Sequence, residues 1–313
     1  MLETFQATLT PMLTLFACIL LGVIADKKGL APPETVAALS KIETNIVVPA
    51  LCLDTFMTYC TPQSLGEHAD LVLYSIGILL VVVPLAIWLS GRFTKHPYQR
   101  GIYQYALAFG NYGFMGNAIV LTMLGSQVLY QYLLFTLPVQ MLANTWGITI
   151  LTPREKRTGN WVKKLINPVS VCILLGVALG LTGLNRYVPA FITNAAQSIA
   201  GCMGPIAMLL TGFVIGGYDL KELLRNGRVY IASVLRLLVI PLIYLIALRL
   251  LGAGERVLAM TLFAFGTPLG LNTVIFPASF GGETHTGAAM AMISHTLSVL
   301  TIPVMYALLS RMA

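Results

Sequence analysis

Charge is what this chain has least of. Of its 313 residues, 10% are Asp, Glu, Lys or Arg, against about 25% in soluble proteins. With 57% apolar residues and a mean hydropathy of +0.82, a water-soluble globular domain is excluded and an integral membrane protein indicated. The longest polar stretch, Thr152 to Lys164, leaves no room for a separate soluble domain. Catalytic patterns are missing as well. There is no His-Glu-x-x-His for a zinc hydrolase, no Gly-x-Ser-x-Gly elbow, and no pair of aspartates set within helices. An enzyme is therefore not expected. The five cysteines show no metal-ligand spacing and read as packing residues, so no cofactor or metal is expected. The start, Met1-Leu2-Glu3-Thr4, has an acid where a signal peptide carries its basic segment, so the first apolar segment is expected to be retained.

Long apolar runs are what the chain does have. Hydropathy over windows of about 19 residues predicts an all-α membrane protein of ten spans, at 7–26, 36–57, 70–90, 103–124, 128–151, 166–184, 194–217, 229–251, 257–279 and 288–309. Basic residues mark one side. Lys27, Lys28, Arg92, Lys95, Arg100, Arg154, Lys156, Arg157, Lys163, Lys164, Lys221, Arg225 and Arg228 follow spans one, three, five and seven. The other side holds only Arg186, Arg249, Arg256 and Arg311. The positive-inside rule then places these loops in the cytoplasm and both termini outside. The net charge of +7 is topological and is no sign of nucleic-acid binding.

Two spans are interrupted. Span four contains Ala108-Phe109-Gly110-Asn111-Tyr112-Gly113-Phe114-Met115-Gly116-Asn117, and span nine contains Ala264-Phe265-Gly266-Thr267-Pro268-Leu269-Gly270-Leu271-Asn272-Thr273. Glycine costs roughly 1 kcal/mol against alanine in a helix interior, and asparagine amides need partners. The stretches lie 156 residues apart, and Cys18-Ile19-Leu20-Leu21-Gly22-Val23 recurs identically at Cys172–Val177, 154 residues on. Thr136-Leu137-Pro138-Val139 is echoed by Thr301-Ile302-Pro303-Val304. The chain thus divides into repeats at 1–152 and 166–313, joined by a cytoplasmic linker at 153–165. Five spans in each half put the copies in opposite orientations, an inverted repeat with paired broken helices 4 and 9 crossing at the binding site. Each break bares N–H groups at the start of its second half, and about half a positive charge there favours an anion. Asn111, Asn117, Thr267, Asn272 and Thr273 can orient it. The alternative is close helix packing by glycine and interhelical bonding by asparagine.

Other polar residues within spans admit two readings each. Lys41, Asn45 and Pro49 share one face of span two, lining a vestibule, or Lys41 reaches to the interface with Glu43 on the exposed side. Gln140 and Asn144 form one stripe on span five, for the cavity or for structure. His295 can titrate near neutral pH and couple protons, or serve packing. Lys41, Glu43 and His295 are the candidates for coupling or gating. Asp54 reads as interfacial, Arg236 as reaching the cytoplasmic interface, and Gly201, Gly204 and Pro205 as breaking span seven.

The chain resembles the auxin efflux carrier family of PIN-like transporters, over essentially all ten spans. The resemblance is carried by Gly110–Gly116, Asn167-Pro168 with Leu174-Leu175-Gly176, Gly204–Met208 with Gly212, Ser298–Pro303, and Pro268 with Phe280-Gly281-Gly282. It implies a scaffold of helices 1, 2, 6 and 7, and a transport unit of helices 3–5 and 8–10 that moves elevator-like. It also implies organic-anion substrates, dicarboxylates or auxin-like carboxylates, with Asn111 and Pro268 at the family's crossing point, and a homodimer. The chain departs from the family at Asn117-Ala118 and at Asn272-Thr273, which make the pocket more hydrophilic and favour small carboxylates. The short loop between halves resembles bacterial members, hence a bacterial cytoplasmic membrane. The expected function is secondary active transport of a small organic anion, with Asn45, Gln140 and Pro268 added to the site and membrane lipid as the other partner. The alternatives are a sodium-coupled symporter of bile-acid type, for which the broken segments lack a carboxylate, and a ligand-sensing receptor.

Overall fold

The computed structural model describes residues 2–157 and 165–312. Most of the expected 153–165 linker, with Lys163 and Lys164, lies outside them. Helix is the only regular secondary structure among the described residues, with no strand among them. In order the helices are α1 (Leu2–Lys27), α2 (Thr35–Ile42), α3 (Val48–Tyr59), α4 (Pro62–His68), α5 (Asp70–Phe93), α6 (Pro97–Ala108), α7 (Asn117–Leu124), α8 (Ser126–Leu142) and α9 (Ile148–Leu151). Then come α10 (Pro168–Thr182), α11 (Ala190–Gly201), α12 (Met203–Gly216), α13 (Leu220–Leu224), α14 (Gly227–Val234), α15 (Ile240–Leu250), α16 (Glu255–Phe265), α17 (Asn272–Ser279) and α18 (His285–Met312).

Eight helical stretches of the described residues are long and apolar enough to cross a bilayer. They are Thr4–Lys27, Thr35–Tyr59, Pro62–Phe93, Pro97–Leu124, Ser126–Leu151, Ala190–Gly216, Gly227–Leu250 and His285–Arg311. Two expected spans differ. The sixth is the 15-residue α10, short of the roughly 20 residues a span takes. The ninth is two pieces, α16 of 11 residues and α17 of 8, parted by 266–271. Exposed leucines such as Leu73, Leu80, Leu174 and Leu250 cover the outside. Apolar side chains facing outward are what lipid permits and water would not.

The basic loops gather on one face. Lys27 Nζ donates to Tyr218 O at 2.8 Å, and Lys156 Nζ to Phe280 O at 2.9 Å. On the opposite face Arg256 pairs with Asp70 at 3.2 Å, joining the starts of α5 and α16.

Four five-residue turns, Glu43–Val47, Tyr112–Gly116, Ala143–Gly147 and Leu235–Val239, are wound as π-helix. Proline accounts for two of them. Pro49 and Pro241 each open the helix that follows such a turn. A proline lacks the N–H that would bond the carbonyl four residues back, and the preceding turn widens to absorb the mismatch. Span seven breaks at Cys202, between α11 and α12, beside the Gly201 and Gly204-Pro205 signal.

The repeated hexapeptide marks two equivalent close contacts. α1 packs along α12, and α10 along α3. A Cβ at Gly22 would lie 2.9 Å from Gly212 Cα; one at Gly176 would lie 2.9 Å from Phe56 Cβ and 3.0 Å from Leu53 O. Gly180 is tighter still, 2.8 Å from Phe56 O. Gly212→Leu and Gly180→Leu are each expected to cost about 1–3 kcal/mol by overpacking and to lower the melting temperature in detergent. Gly77→Leu, whose Cβ meets nothing within 4 Å, should melt like the wild type. Equal melting temperatures for all three variants would contradict the close packing.

Candidate functional site

The site is built where the two interrupted spans touch. α6 ends at Ala108, and Gly110, at φ +59°, turns the chain out of the helix in a conformation that favours glycine. Asn111 N–H then leaves its own helix and donates to Pro268 O in the other interruption at 2.8 Å. Gly270 sits against Gly110, where a Cβ would fall 3.0 Å from the Gly110 carbonyl carbon. On the second side Thr267 Oγ1 donates to Ala264 O at 3.2 Å, Leu269 N–H to Ser294 Oγ at 3.0 Å, and Thr273 Oγ1 to Gly270 O at 2.7 Å. Tyr132 holds both segments, its hydroxyl within 2.9 Å of Tyr112 O and 3.2 Å of Phe263 O.

The residue that sequence reading misplaced is Arg236. It does not reach the interface but is fully buried, and it joins the breaks. Its guanidinium donates to Leu107 O at 2.8 Å, Ala108 O at 3.4 Å, Phe109 O at 2.9 Å, Ala264 O at 3.1 Å and Thr267 O at 3.3 Å. These are carbonyls at the carboxyl ends of α6 and α16, the groups a helix leaves unpaired.

At the amino ends of the second halves lies a cavity of about 360 Å³. Tyr112, Gly113, Phe114 and Asn117 line it from the first interruption, and Asn272 and Phe276 from the second. Thr44, Asn45, Val48 and Cys52 come from span two; Leu133, Thr136, Gln140, Asn144 and Ile148 from span five. The amino end of α10 adds Asn167, Pro168 and Val169. No charged side chain is among them. Three helix amino ends meet here, and each presents about half a positive charge. Amides and hydroxyls supply the directed bonds. Asn117, 4% exposed, keeps its Oδ1 buried and without a partner, a free acceptor at the cavity wall. Asn272 Nδ2 donates to Tyr105 Oη at 2.8 Å, and Asn45 Nδ2 to Lys41 O at 2.9 Å.

Of the residues singled out by sequence, Asn45, Asn117, Gln140, Asn144 and Asn272 meet at this cavity. Asn111, Thr267, Pro268 and Thr273 do not line it; they are spent on holding the breaks together. Asn111 is bonded to His295 Nε2 at 2.9 Å, while His295 Nδ1 lies 2.7 Å from Ala291 O. A carbonyl only accepts, so Nδ1 carries the proton and Nε2 accepts from the Asn111 amide. His295 is thereby occupied on both nitrogens and away from the cavity. Lys41 is exposed. Glu43 is not on an exposed side: it is fully buried, with neither carboxyl oxygen hydrogen-bonded. Asp54 is half-buried and faces a second, polar pocket with Gln197, Thr55 and Ser126. Sequence reading missed Tyr112, Thr44, Thr136 and the cavity role of Asn167. Only Asn167-Pro168, an N-cap and a helix-opening proline, left a local signal.

Comparison with known proteins fits this geometry. A family described as "Membrane transport protein" matches the chain twice, over residues 7–160 and 157–306. The chain is also 22% identical over 302 residues to a protein of Rhizobium meliloti (strain 1021) named "Putative malonate transporter". That alignment covers 93% of this chain and 92% of the relative. With its apolar spans and two family matches, the chain belongs to the membrane transport protein family of auxin-efflux-carrier type and is a multi-pass integral membrane protein.

Proposed function

We propose that this protein is a secondary carrier of small organic anions, with a short dicarboxylate such as malonate as its first candidate substrate. The observation that carries the reading is the uncharged, amide-rich cavity at three converging helix amino ends. A carboxylate placed there meets the partial positive charge of the helix amino ends. Asn117 and Asn272 add hydrogen bonds, and the free Asn117 Oδ1 accepts from a hydroxyl or protonated carboxyl on the ligand. The relative's name supports the short dicarboxylate.

The transport cycle follows from where the cavity lies. Its walls come from spans two and six on one side and spans four, five and nine on the other, the division expected between scaffold and transport unit. The two interruptions are the crossing helices of an inverted repeat, and the equivalent pairings of α1 with α12 and α10 with α3 support that symmetry. Sliding of one unit past the other, elevator-like, would carry the ligand between faces. Asn45, Asn144 and Asn167 lie on the halves of their spans nearer the basic face, which favours an inward-facing form. The basic face is cytoplasmic, the termini are outside, and a bacterial inner membrane is the setting.

In proteoliposomes, labelled malonate uptake should saturate. Asn117→Ala and Asn272→Ala should each weaken it by about ten- to a hundredfold in affinity, since a hydrogen bond to a charged group contributes about 1.5–3 kcal/mol. Unchanged affinity in both variants would sink the cavity as the site. A second check needs no transport. Cys52 lines the cavity; with Cys18, Cys60, Cys172 and Cys202 replaced by serine, malonate should slow its alkylation by a maleimide. Alkylation indifferent to every carboxylate tried would place the ligand elsewhere.

A further inference from the structure

The cations of the basic face do more than share a side of the membrane. A cavity of about 350 Å³ on that face is lined by Lys95, Arg100, Arg154 and Arg157, with Gln104 and no carboxylate. Lys95 also lines an adjoining recess of about 450 Å³, which takes Arg92, His96 and Arg228. Glu155 and Glu283 enter only beyond these, in a third hollow that shares Arg154, Arg157 and His96. Among the described residues the ion pairs are Arg256–Asp70 and His285–Glu222, so the six lysines and arginines of the groove have no carboxylate partner.

The positive-inside rule accounts for cations in these loops. It does not account for cations from three separate loops meeting at one groove. Like charges gathered in this way repel one another unless they share an anion. The groove is nevertheless built. A Cβ at Gly101 would lie 2.6 Å from Ile150 O, so α6 and α9 touch along its wall. Arg100 is drawn back onto α5, its Nε donating to Ser90 Oγ at 3.4 Å and its Nη2 to Ile87 O at 3.3 Å. Arg157 Nε donates to Thr152 O at 3.1 Å. The depth of the groove is marked by Trp88, which is 56% exposed and lies under the Arg92 guanidinium, 4.2 Å from ring centroid to Cζ. Exposed tryptophan belongs at the headgroup level of a bilayer. Leu80, Val81 and Ile87 continue the exposed surface of α5 towards the membrane centre.

We propose that this groove binds the headgroup of an anionic phospholipid from the leaflet on the basic face. Lys95, Arg100, Arg154 and Arg157 face its phosphate, and its acyl chains lie along α5. Basic pockets between spans take such headgroups. Two acid-free recesses joined at Lys95 suit a lipid with two phosphates, cardiolipin, better than one with a single phosphate. The bound phosphates offset the repulsion among spans three, four, five and eight and tie their ends together.

The test is delipidated protein in neutral detergent at physiological salt, titrated with cardiolipin, phosphatidylglycerol, phosphatidylcholine or inorganic phosphate. Binding is read by native mass spectrometry and by melting temperature. Cardiolipin, and more weakly phosphatidylglycerol, should bind and raise the melting temperature with concentration. Phosphatidylcholine and inorganic phosphate should do neither. Lys95→Gln/Arg154→Gln, at two exposed positions, should bind cardiolipin about thirtyfold more weakly, at about fivefold for each cation removed. Lys28→Gln/Lys221→Gln removes as much charge from the same face outside the groove and should bind as the wild type does.

Equal weakening in the two double variants would reduce the effect to the charge of the whole face and overturn the inference. So would unchanged affinity in Lys95→Gln/Arg154→Gln. Phosphatidylcholine binding as tightly as cardiolipin would overturn it by showing that charge is not read. Inorganic phosphate that stabilises as well as the lipid would make the groove a soluble-anion site, which also overturns it. If Lys95→Gln/Arg154→Gln fails to fold, the lipid series on the wild type still decides. None of these readouts involves transport, so they stand apart from the carrier reading.

Discussion

Two helix carboxyl ends of like sign meet inside the molecule, and one guanidinium makes that arrangement stable. Without it, Leu107, Phe109 and Thr267 would present carbonyls to an apolar interior, each at a cost of several kcal/mol. A lone buried arginine would be costly too, because taking a charge out of water carries a penalty of several kcal/mol. Together each removes the other's penalty. The rest of the site depends on this match. It lets α6 and α16 stop in mid-span, which frees the chain at Gly110 and Gly270 to touch, which in turn leaves the amino ends of the second halves facing the cavity.

The π-wound turns extend the same logic. A helix that runs uninterrupted satisfies its backbone and offers nothing to a ligand. Widening one turn re-aims the side chains within it, and such turns often occur at functional sites. Thr44 and Asn45, Tyr112 to Phe114, and Asn144 all lie on such turns and all reach the cavity; Arg236 lies on the fourth. The four π-wound turns are thus gathered around the cavity and the breaks beside it. Elsewhere the helices are held by glycine contacts, as at Gly22, Gly176, Gly180 and Gly212, that tolerate no added atom.

Much of this was legible in the sequence, for reasons that also mark where legibility ends. Apolar runs showed as hydropathy, and interruptions as glycine, asparagine and proline where an unbroken helix would not carry them. The repeat was readable because Cys18–Val23 and Cys172–Val177 must fit the same kind of close contact in two places. What could not be read was rotation about a helix axis. One residue's step around a helix of 3.6 residues per turn separates a cavity wall from a buried clamp. Asn111 and Asn117 are alike in composition and neighbourhood, yet one holds His295 and the other faces the cavity. Glu43 and Asn45 were divided the same way, by a π-turn that no local rule locates. Arg236 was misjudged because hydropathy treats an isolated arginine in a span as a side chain reaching for water. Its true partners are carbonyls more than a hundred positions earlier and about thirty later, which only the fold brings together.

The absence of charged side chains from the cavity bears on how a carrier must bind. A lysine or arginine at the wall would hold a carboxylate strongly, but release on the far side would then require breaking a desolvated ion pair. Half charges at helix ends act differently. They are fixed to the backbone, and their effect fades within the first turn, so attraction is strong only while the ligand is seated. Amides add direction without net charge. On the proposed reading, a suitable donor on the ligand would satisfy the unpaired Asn117 Oδ1. Attraction therefore depends on fit, and the one full positive charge nearby, on Arg236, is already engaged by the carbonyls that created the need for it.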